Sequence, residues 1–274
     1  MFQYAAGKAL AYAKKQSLFL DISFYDKIQE GVTPRSFKLT CFKLNAKIID
    51  KKIELKYSKK ASLFIRIINK FKPYYRKKVF SHLEFQFDPN IFKTSNNVYL
   101  SGYWQSYLYF EKINDIIRKE FSFKEQCILG IDSTLSIINN SESVSIHIRR
   151  GDYVTNKEAV DLLGCLPLSY YDNAIKLIEK RTNEPRYFIF SDDIEWVKLN
   201  MQIENSSIIE TNNELHDLAL MAHCKHNIIA NSSFSWWAAW LNSNNNKTVI
   251  APKNWFTDVN INTNDLFPNT WIRL

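Results

Sequence analysis

The sequence contains only six glycines in 274 residues, and they form neither a GxGxxG nor a GxxxxGK[ST] motif. In dinucleotide-binding folds and P-loop enzymes, these motifs let backbone N–H groups approach a phosphate closely. Their absence argues against both kinds of site. A phosphate bound by this protein would have to be held by side chains and by the N-termini of helices.

Cysteine is also sparse. Cys41, Cys127, Cys165 and Cys224 form no CxxC pair and no Cys/His cluster at metal-ligand spacing. No apolar run approaches the roughly 20 residues that span a bilayer, and the start of the sequence lacks the three regions of a signal peptide. We therefore expect reduced thiols, no bound metal and a cytoplasmic location.

Positive charge is in excess. The chain has 36 Lys and Arg against 28 Asp and Glu, a net charge of +8, which suits nucleic acid, a membrane surface or an anionic small substrate. Thirteen of the basic residues lie between Lys43 and Lys78, opposed only by Asp50 and Glu54. A solvated face is the simplest interpretation of this run. It also leaves room for peripheral contact with the inner face of a membrane.

The chain changes character near Asn139. Before it, an Ala-rich helix over Met1–Gln16 and a strand near Leu18–Ser23 give way to an irregular pattern. After it, strands and helices alternate, which is typical of βαβ units on a parallel sheet. We predict strands at 144–149, 187–191, 207–211, 227–230 and 248–252, with helices at 169–181, 193–200, 214–226 and 234–241. Ser169 and Asp172 resemble a capping box for the first of these helices.

The stretch VSIHIRRGDY joins an apolar strand to a glycine turn. Apolar and polar residues alternate up to Arg149, and Gly151 ends the pattern. Charged side chains at the carboxyl end of a parallel strand point into the crevice where open α/β sheets bind ligands. Arg149 and Arg150 therefore predict a phosphate site, with Asp152 steadying an arginine, because a guanidinium matches phosphate oxygens. The alternative is a structural ion pair between Arg149 and Asp152 or Asp192.

A second strand end, FSDD, carries Ser191, Asp192 and Asp193. The side chains of adjacent Asp residues diverge, so a metal site of the DxD kind is the less favoured interpretation. We predict that Asp192 contacts a nucleoside and that Asp193 caps the following helix.

A third strand end, ANSSFSWW at 230–237, breaks into a helix through Asn231, Ser232 and Ser233. Such a helix start offers free N–H groups and hydroxyls to a phosphate. Simple capping by Ser232 or Ser233 is the alternative, and both can hold at once. In a doubly wound sheet the three strand ends would share one edge, so together they predict a nucleotide site.

In the first half, NVYLSGYWQS at 97–106 is typical of a strand that enters a glycine turn. Gly102, Tyr103 and Trp104 there could form an aromatic wall for a sugar ring. The alternative is that these aromatic residues belong to a core, which is the commoner role.

The chain resembles the bacterial α-1,2-fucosyltransferases of glycosyltransferase family 11 in five stretches. These are MFQYAAGKALA, HIRRGDYV, FSDD, DLALMAHCKHNIIANSSFSWWAAWL at 217–241 and APKNWF at 251–256. The resemblance implies a GT-B-like α/β fold of two Rossmann-like halves: an acceptor-side domain at 1–138 and a GDP-fucose-binding domain at 139–274. It also implies inverting transfer of L-fucose from GDP-fucose to the 2-hydroxyl of a terminal galactoside, without metal or other cofactor.

The resemblance also implies roles for individual residues. Arg149 would bind the β-phosphate and stabilise the departing diphosphate, and His147 and Asp152 would shape the same loop. Asp152 and Glu158 are the candidates for the general base. Ser191 and Asp192 would face the nucleoside, and Arg150 would be a further donor-binding residue. The diphosphate would be lined by Asn231, Ser232, Ser233, Phe234 and Ser235.

One departure from the family pattern is at the start, where a strand and a GLGNQ loop normally precede MFQYA. We expect this chain to lack both, so an inactive nucleotide binder is one alternative, and a fucosyltransferase of α-1,6 linkage is another. A basic RNA-binding protein is the non-enzyme alternative, although the strand ends converge on a site for one nucleotide. The expected partners are GDP-fucose and a galactose-terminated oligosaccharide or lipid-linked glycan, and no nucleic acid.

Overall fold

The computed structural model describes residues 1–26, 36–49, 72–82 and 85–274. The chain divides into two compact units, one of Met1–Ser122 with Asn262–Pro268 and one of Phe123–Ile261 with Asn269–Leu274. The second unit thus begins at Phe123, ahead of the predicted division at 138, and the roles given to the two halves stay predictions. Much of the basic run, residues 50–71, lies outside the described residues.

The first unit opens with helix α1, Phe2–Ala13, which is buried from Tyr4 to Ala11. Its strands form two parallel pairs, β1 (Phe19–Asp21) with β2 (Lys47–Ile49) and β3 (Val79–His82) with β4 (Tyr99–Gly102). A short helix, α2, follows at Asn114–Glu120. In the part of this unit that the structure describes, the two pairs do not join into one sheet, so a second Rossmann-like half stays a prediction.

The second unit alternates strands with helices, and this confirms the predicted α/β class. Its strands are β5 (Ser143–Ile148), β6 (Arg186–Ser191), β7 (Ser206–Ile208), β8 (His226–Ile228), β9 (Val249–Ala251) and β10 (Ile272–Arg273). Its helices are α3 (Asp132–Asn139), α4 (Gly151–Thr155), α5 (Lys157–Leu162), α6 (Leu168–Glu179), α7 (Ile194–Asn200), α8 (Glu214–His223) and α9 (Ser233–Leu241). Across the described ranges of both units, no helix has the length and apolar character that crossing a membrane requires.

The strands of the second unit form one parallel sheet in the order β7-β6-β5-β8-β9-β10. The chain starts at the centre with β5, moves outward through β6 and β7, then returns to the other side of β5 and moves outward again. This is the strand order of doubly wound dinucleotide-binding folds. The order reverses between β5 and β8, and ligands of such sheets bind beyond the carboxyl ends of the strands at that reversal.

The central strand β5 is buried at all of its positions, although its sequence alternates between apolar and polar residues. The apolar residues pack in the core of the unit. On the polar face the two serines are hydrogen-bonded: Ser145 Oγ accepts from Asn227 Nδ2 at 2.7 Å, and Ser143 Oγ accepts from the N–H of Lys225 at 3.1 Å. A strand covered on both faces is typical of parallel sheets.

Helix α6 does not use the predicted capping box. Pro167 occupies the N-cap position, and no side chain caps the helix. Ser169 and Asp172 both lie inside the helix, so the predicted box is wrong. The prediction took Ser169 for the N-cap, but the helix already begins at Leu168, directly after Pro167, so Ser169 lies one position inside the first turn.

Candidate functional site

Arg149 directly follows β5, and two carboxylates hold its guanidinium group. Nε and Nη2 donate to Asp152 Oδ1 at 3.1 and 2.6 Å, and Nη1 lies 3.0 Å from Asp192 Oδ2. The structural ion pair that was the alternative is therefore present, with both of its candidate partners. It leaves 24% of the Arg149 side chain exposed. The hydrogen bonds to Asp152 use two of the five N–H bonds of the guanidinium, and Nη1 forms an ion pair with Asp192. At least two N–H bonds therefore have no partner in the described chain.

Gly151, the first residue of α4, leaves space for Asp192. A Cβ atom at position 151 would lie 2.3 Å from Asp192 Oδ2, which is far inside contact distance. The other oxygen, Oδ1, accepts the backbone N–H of Arg150 at 2.8 Å. The glycine of the RRGD motif thus lets a carboxylate from the end of β6 lie against the turn after β5 and orient Arg149. The contact of Asp192 with a nucleoside stays a prediction.

Arg150 is fixed to helix α7. Its Nε donates to Asp193 Oδ2 at 3.0 Å, and its guanidinium carbon lies 4.1 Å from the centroid of the Trp196 ring, a cation–π contact. Asp193 Oδ1 also accepts the N–H of Trp196 at 3.1 Å, so the predicted helix cap is confirmed. Ser191 Oγ accepts the N–H of Asp193 at 3.0 Å, which orders the same turn. Sequence reasoning missed Trp196, because a tryptophan in an amphipathic helix looks like a core residue.

His147 is buried in β5, with 5% of its surface exposed. Burial, with a smaller effect from the charge of Arg149, lowers the pKa of His147 to about 3. The imidazole is therefore neutral across the physiological range. Its centroid lies 5.5 Å from that of Phe234 in the first turn of α9, so it joins the end of β5 to the start of that helix. Its Nδ1 is buried and makes no hydrogen bond within the described ranges.

Ser232 caps helix α9. Its Oγ accepts the N–H of Phe234 at 3.3 Å, which confirms the capping alternative. The Ser235 hydroxyl lies 3.5 and 3.3 Å from the carbonyls of Ala230 and Ser232 and is buried, whereas Ser233 is partly exposed. Capping satisfies one of the N–H groups of the first turn, and the others keep the capacity of a helix N-terminus to bind an anion.

Asn231 is almost completely buried, with 2% of its surface exposed. Its Nδ2 lies 2.8, 3.1 and 3.3 Å from the carbonyl oxygens of Leu163, Gly164 and Trp255. The side chain thus ties the loop after α5 and the loop after β9 to the start of α9. Its N–H groups are used within the protein, and contact with a diphosphate stays a prediction.

Tyr153 joins the arginine to the helix. The guanidinium carbon of Arg149 lies 5.5 Å from the centroid of the Tyr153 ring, and the hydroxyl donates to the carbonyl of Asn231 at 3.0 Å. Asn231 immediately precedes Ser232, the cap of α9. The two groups predicted to bind phosphate therefore flank one tyrosine, at the carboxyl ends of β5 and β8, where the strand order reverses.

Glu158 lies on α5 and is exposed. Its N–H donates to Asn156 Oδ1 at 3.0 Å, and Asn156 caps that helix. Its carboxylate makes no hydrogen bond or ion pair with any residue that the structure describes. The structure therefore brings Asp152 into contact with Arg149 but does not connect Glu158 to it.

Charge alone does not make this an anion site. The guanidinium groups of Arg149 and Arg150 face the carboxylates of Asp152, Asp192 and Asp193, so the five groups sum to one negative charge. What the site offers an anion is directional: the free N–H bonds of Arg149 and the N–H groups at the start of α9. Groups held in this way suit a phosphate with defined oxygen positions.

The chain is similar to known glycosyltransferases. The family model described as "Glycosyl transferase family 11" matches residues 20–274. An Escherichia coli alpha-1,2-colitosyltransferase is 34% identical over 280 residues, covering all of this chain and 94% of that protein. The E. coli O-antigen biosynthesis glycosyltransferase WbnK is 33% identical over 297 residues, and the match covers all of this chain and 96% of that protein. The mouse galactoside 2-alpha-L-fucosyltransferase Sec1 is 27% identical over 154 residues, 53% of this chain and 42% of that protein.

Proposed function

Because the chain belongs to glycosyl transferase family 11, we propose that it transfers L-fucose from GDP-fucose to the 2-hydroxyl of a terminal galactoside, with inversion at the anomeric carbon. The observation that carries the proposal is the position of Arg149 and the start of α9 on either side of Tyr153. Departure of GDP leaves negative charge on the diphosphate, and fixed N–H donors at that charge lower the barrier.

In this proposal the two free N–H bonds of Arg149 bind the β-phosphate, and the first turn of α9 binds the rest of the diphosphate. Asp152 and Asp192 act as positioning residues, because they hold the guanidinium from both sides. Arg150 keeps the turn after β5 docked on α7. Directional N–H donors from the arginine and the helix end take the place that a cation has in other glycosyltransferases, so we propose that transfer needs no metal.

The acceptor hydroxyl must give up its proton as it attacks the anomeric carbon. Asp152 Oδ1 accepts two hydrogen bonds from Arg149, so protonation of this carboxylate would weaken the pair that positions the arginine. The carboxylate of Glu158 makes no hydrogen bond or ion pair with the described residues, so its protonation would break no such contact. We assign the general base to Glu158 and retain Asp152 as the positioning residue.

The linkage and the acceptor follow the names of the relatives. One whole-chain relative is named an alpha-1,2-transferase, and the mammalian relative is named a galactoside 2-alpha-L-fucosyltransferase. These names favour the 2-hydroxyl of galactose over the α-1,6 linkage. A lipid-linked glycan with a terminal galactose, reached by peripheral membrane contact, would supply the same hydroxyl.

A second candidate differs only in the donor sugar. The relative with 34% identity over the whole chain is named a colitosyltransferase, and colitose is L-fucose without the 3-hydroxyl group. The ratio of kcat/KM for the two donors decides between them. A site that binds the 3-hydroxyl through a buried polar group would reject the deoxy sugar by about 10⁴-fold, whereas an apolar pocket would discriminate about 10²-fold at most.

The test is incubation with GDP-fucose and lactose, followed by linkage analysis of the product, with EDTA and with Mn²⁺ in parallel. We expect an α-1,2-fucosylated galactose and a rate that EDTA does not change. Transfer from GDP-colitose alone would establish the second candidate. Calorimetry with GDP completes the test, since binding of GDP without product from either donor would identify an inactive nucleotide binder.

A further inference from the structure

The turn after β4 carries an exposed aromatic ring that is not part of the proposed donor site. Tyr103 is 56% exposed, and its ring stacks on Phe85 with centroids 5.9 Å apart and planes tilted by 16°. An exposed ring costs little by itself, but stacking on a second ring fixes its orientation. The result is a flat apolar surface that is held open to water.

The backbone of this turn is forced into that arrangement. Gly102 and Trp104 have φ angles of +137° and +58°, and a Cβ atom at position 102 would collide with the carbonyl oxygen of His82 at 1.8 Å. A left-handed conformation is costly for a bulky residue and persists only where packing imposes it. Trp104 is 1% exposed, with ring centroids of Phe80 and His82 at 5.4 and 5.3 Å. Trp104 is thus a core residue, as the alternative had it, while its neighbour Tyr103 is left in solvent.

Two amide side chains belong to the surroundings of this turn, one from α1 and one from the turn itself. Gln3 Nε2 donates to the carbonyl of Gly102 at 2.9 Å, which holds an exposed amide beside the residue that precedes Tyr103. Gln105 is partly exposed, and its side chain makes no hydrogen bond with the described part of the chain. An amide can donate to one hydroxyl and accept from another.

We propose that Tyr103 is the stacking platform for a pyranose ring of the acceptor glycan, with Gln3 and Gln105 binding hydroxyls at the rim of that ring. This inference rests on the proposed function, because the acceptor of that reaction supplies the pyranose. One face of galactose carries several axial C–H bonds, which pack on an aromatic face, while its hydroxyl groups need partners around the edge. An exposed aromatic ring in a turn that also holds neutral amides supplies both parts.

The experiment compares Tyr103→Ala and Tyr103→Phe with Tyr12→Ala, a control that removes an equally exposed ring (59%) from α1 of the same unit. With lactose as acceptor, Tyr103→Ala should raise the acceptor KM roughly 3- to 10-fold, the effect expected from one stacked ring. The KM for GDP-fucose should not change. Tyr103→Phe keeps the ring and should resemble the wild type, as should Tyr12→Ala. Saturation-transfer NMR of lactose without donor should show the same order, which separates binding from turnover.

Two results would overturn the inference while leaving the proposed function intact: an unchanged lactose KM in Tyr103→Ala, or an equal rise in Tyr12→Ala. A change in sedimentation coefficient with unchanged KM would also overturn it, since the ring would then be a contact between copies of the chain. Failure of the proposed function has a different signature, because the wild type would then transfer to no galactoside at all. Because Tyr103 is exposed, thermal unfolding should be nearly the same for all three variants.

Discussion

Replacement of Arg149 by alanine is expected to lower turnover about 10²-fold or more. The guanidinium has two N–H bonds left after its contacts with Asp152 and Asp192. A net hydrogen bond to a charged group contributes about 1.5–3 kcal/mol, and the lower value applies because 24% of the side chain is exposed. Two such bonds to the departing diphosphate amount to about 3 kcal/mol, or somewhat more than 10²-fold in rate. Removal of a single oxyanion donor elsewhere costs about 10²–10³-fold.

The same substitution has a separate effect on stability, because it leaves two carboxylates without their cation. The side chains of Asp152 and Asp192 are 20% and 27% exposed, so solvent screens them. We expect a loss of about 1 kcal/mol, well below the 3–5 kcal/mol for breaking a fully buried pair. In a protein of this size that lowers Tm by about 2–4 °C.

The triple variant Arg149→Ala/Asp152→Asn/Asp192→Asn separates the two effects. It removes the unpaired charges together with the arginine, so Tm should recover while kcat and the affinity for GDP remain low. Turnover within about threefold of the wild type by a folded Arg149→Ala protein would refute the phosphate role. Recovery of activity in the triple variant would show that the arginine only neutralises the two acids.

Three further substitutions test other parts of the site. Gly151→Ala should raise the Kd for GDP about tenfold, because the added Cβ would displace the Asp192 carboxylate. Asp192 would then lose its ion pair with Arg149 and its hydrogen bond with the N–H of Arg150. In a protein that already carries Asp192→Ala, Gly151→Ala should have little further effect on this Kd. Glu158→Gln should lower kcat about 10²-fold or more without changing Tm or GDP affinity, and normal turnover would place the base elsewhere. The folded pKa of His147, about 3, lies below its unfolded value of about 6.5, so the unfolded chain binds more protons between them and stability falls as pH falls. From pH 7.5 to 5.5 the wild type should lose about 1.4 kcal/mol more of unfolding free energy than His147→Gln, and equal losses would contradict the burial of this imidazole.

The α/β fold class of the second unit could be predicted from the sequence, but the order of the strands in its sheet could not. Alternating strand and helix patterns predict a parallel sheet, and observed elements such as β6 and α7 lie within one residue of their predicted limits. Strand order depends on which strands pair in the folded sheet, which local periodicity does not encode. The lack of glycine motifs argued against a dinucleotide fold, yet the observed order is that of this fold. The motif reflects close contact of backbone with phosphate, and a sheet can be wound in the same way without it.

Side-chain direction limited the prediction of the site. The partners of Arg149 were predicted correctly, because charged residues at neighbouring strand ends lie close together whatever the details of the turn. The turn before α9 was different: it directs the amide of Asn231 into three backbone carbonyls, and no pattern of residues indicates that. Tyr153 and Trp196 were missed for a related reason. An aromatic residue has the same sequence signature whether it fills a core or supports an arginine.

The carboxylates around the two arginines explain why the site requires arginine in particular. With three Asp against two Arg in contact, net attraction for GDP is weak, and a point charge at position 149 would be neutralised by its neighbours. A guanidinium differs, because it can donate two N–H bonds to Asp152 and pair with Asp192 through Nη1 while the planar group still directs other N–H bonds elsewhere. Lysine would keep the charge but lack a planar group that donates to Asp152 and to a phosphate in different directions. The kcat of Arg149→Lys should therefore be much closer to that of Arg149→Ala than to that of the wild type. If lysine restored most of the turnover, the geometry of the fork would not be what binds the diphosphate.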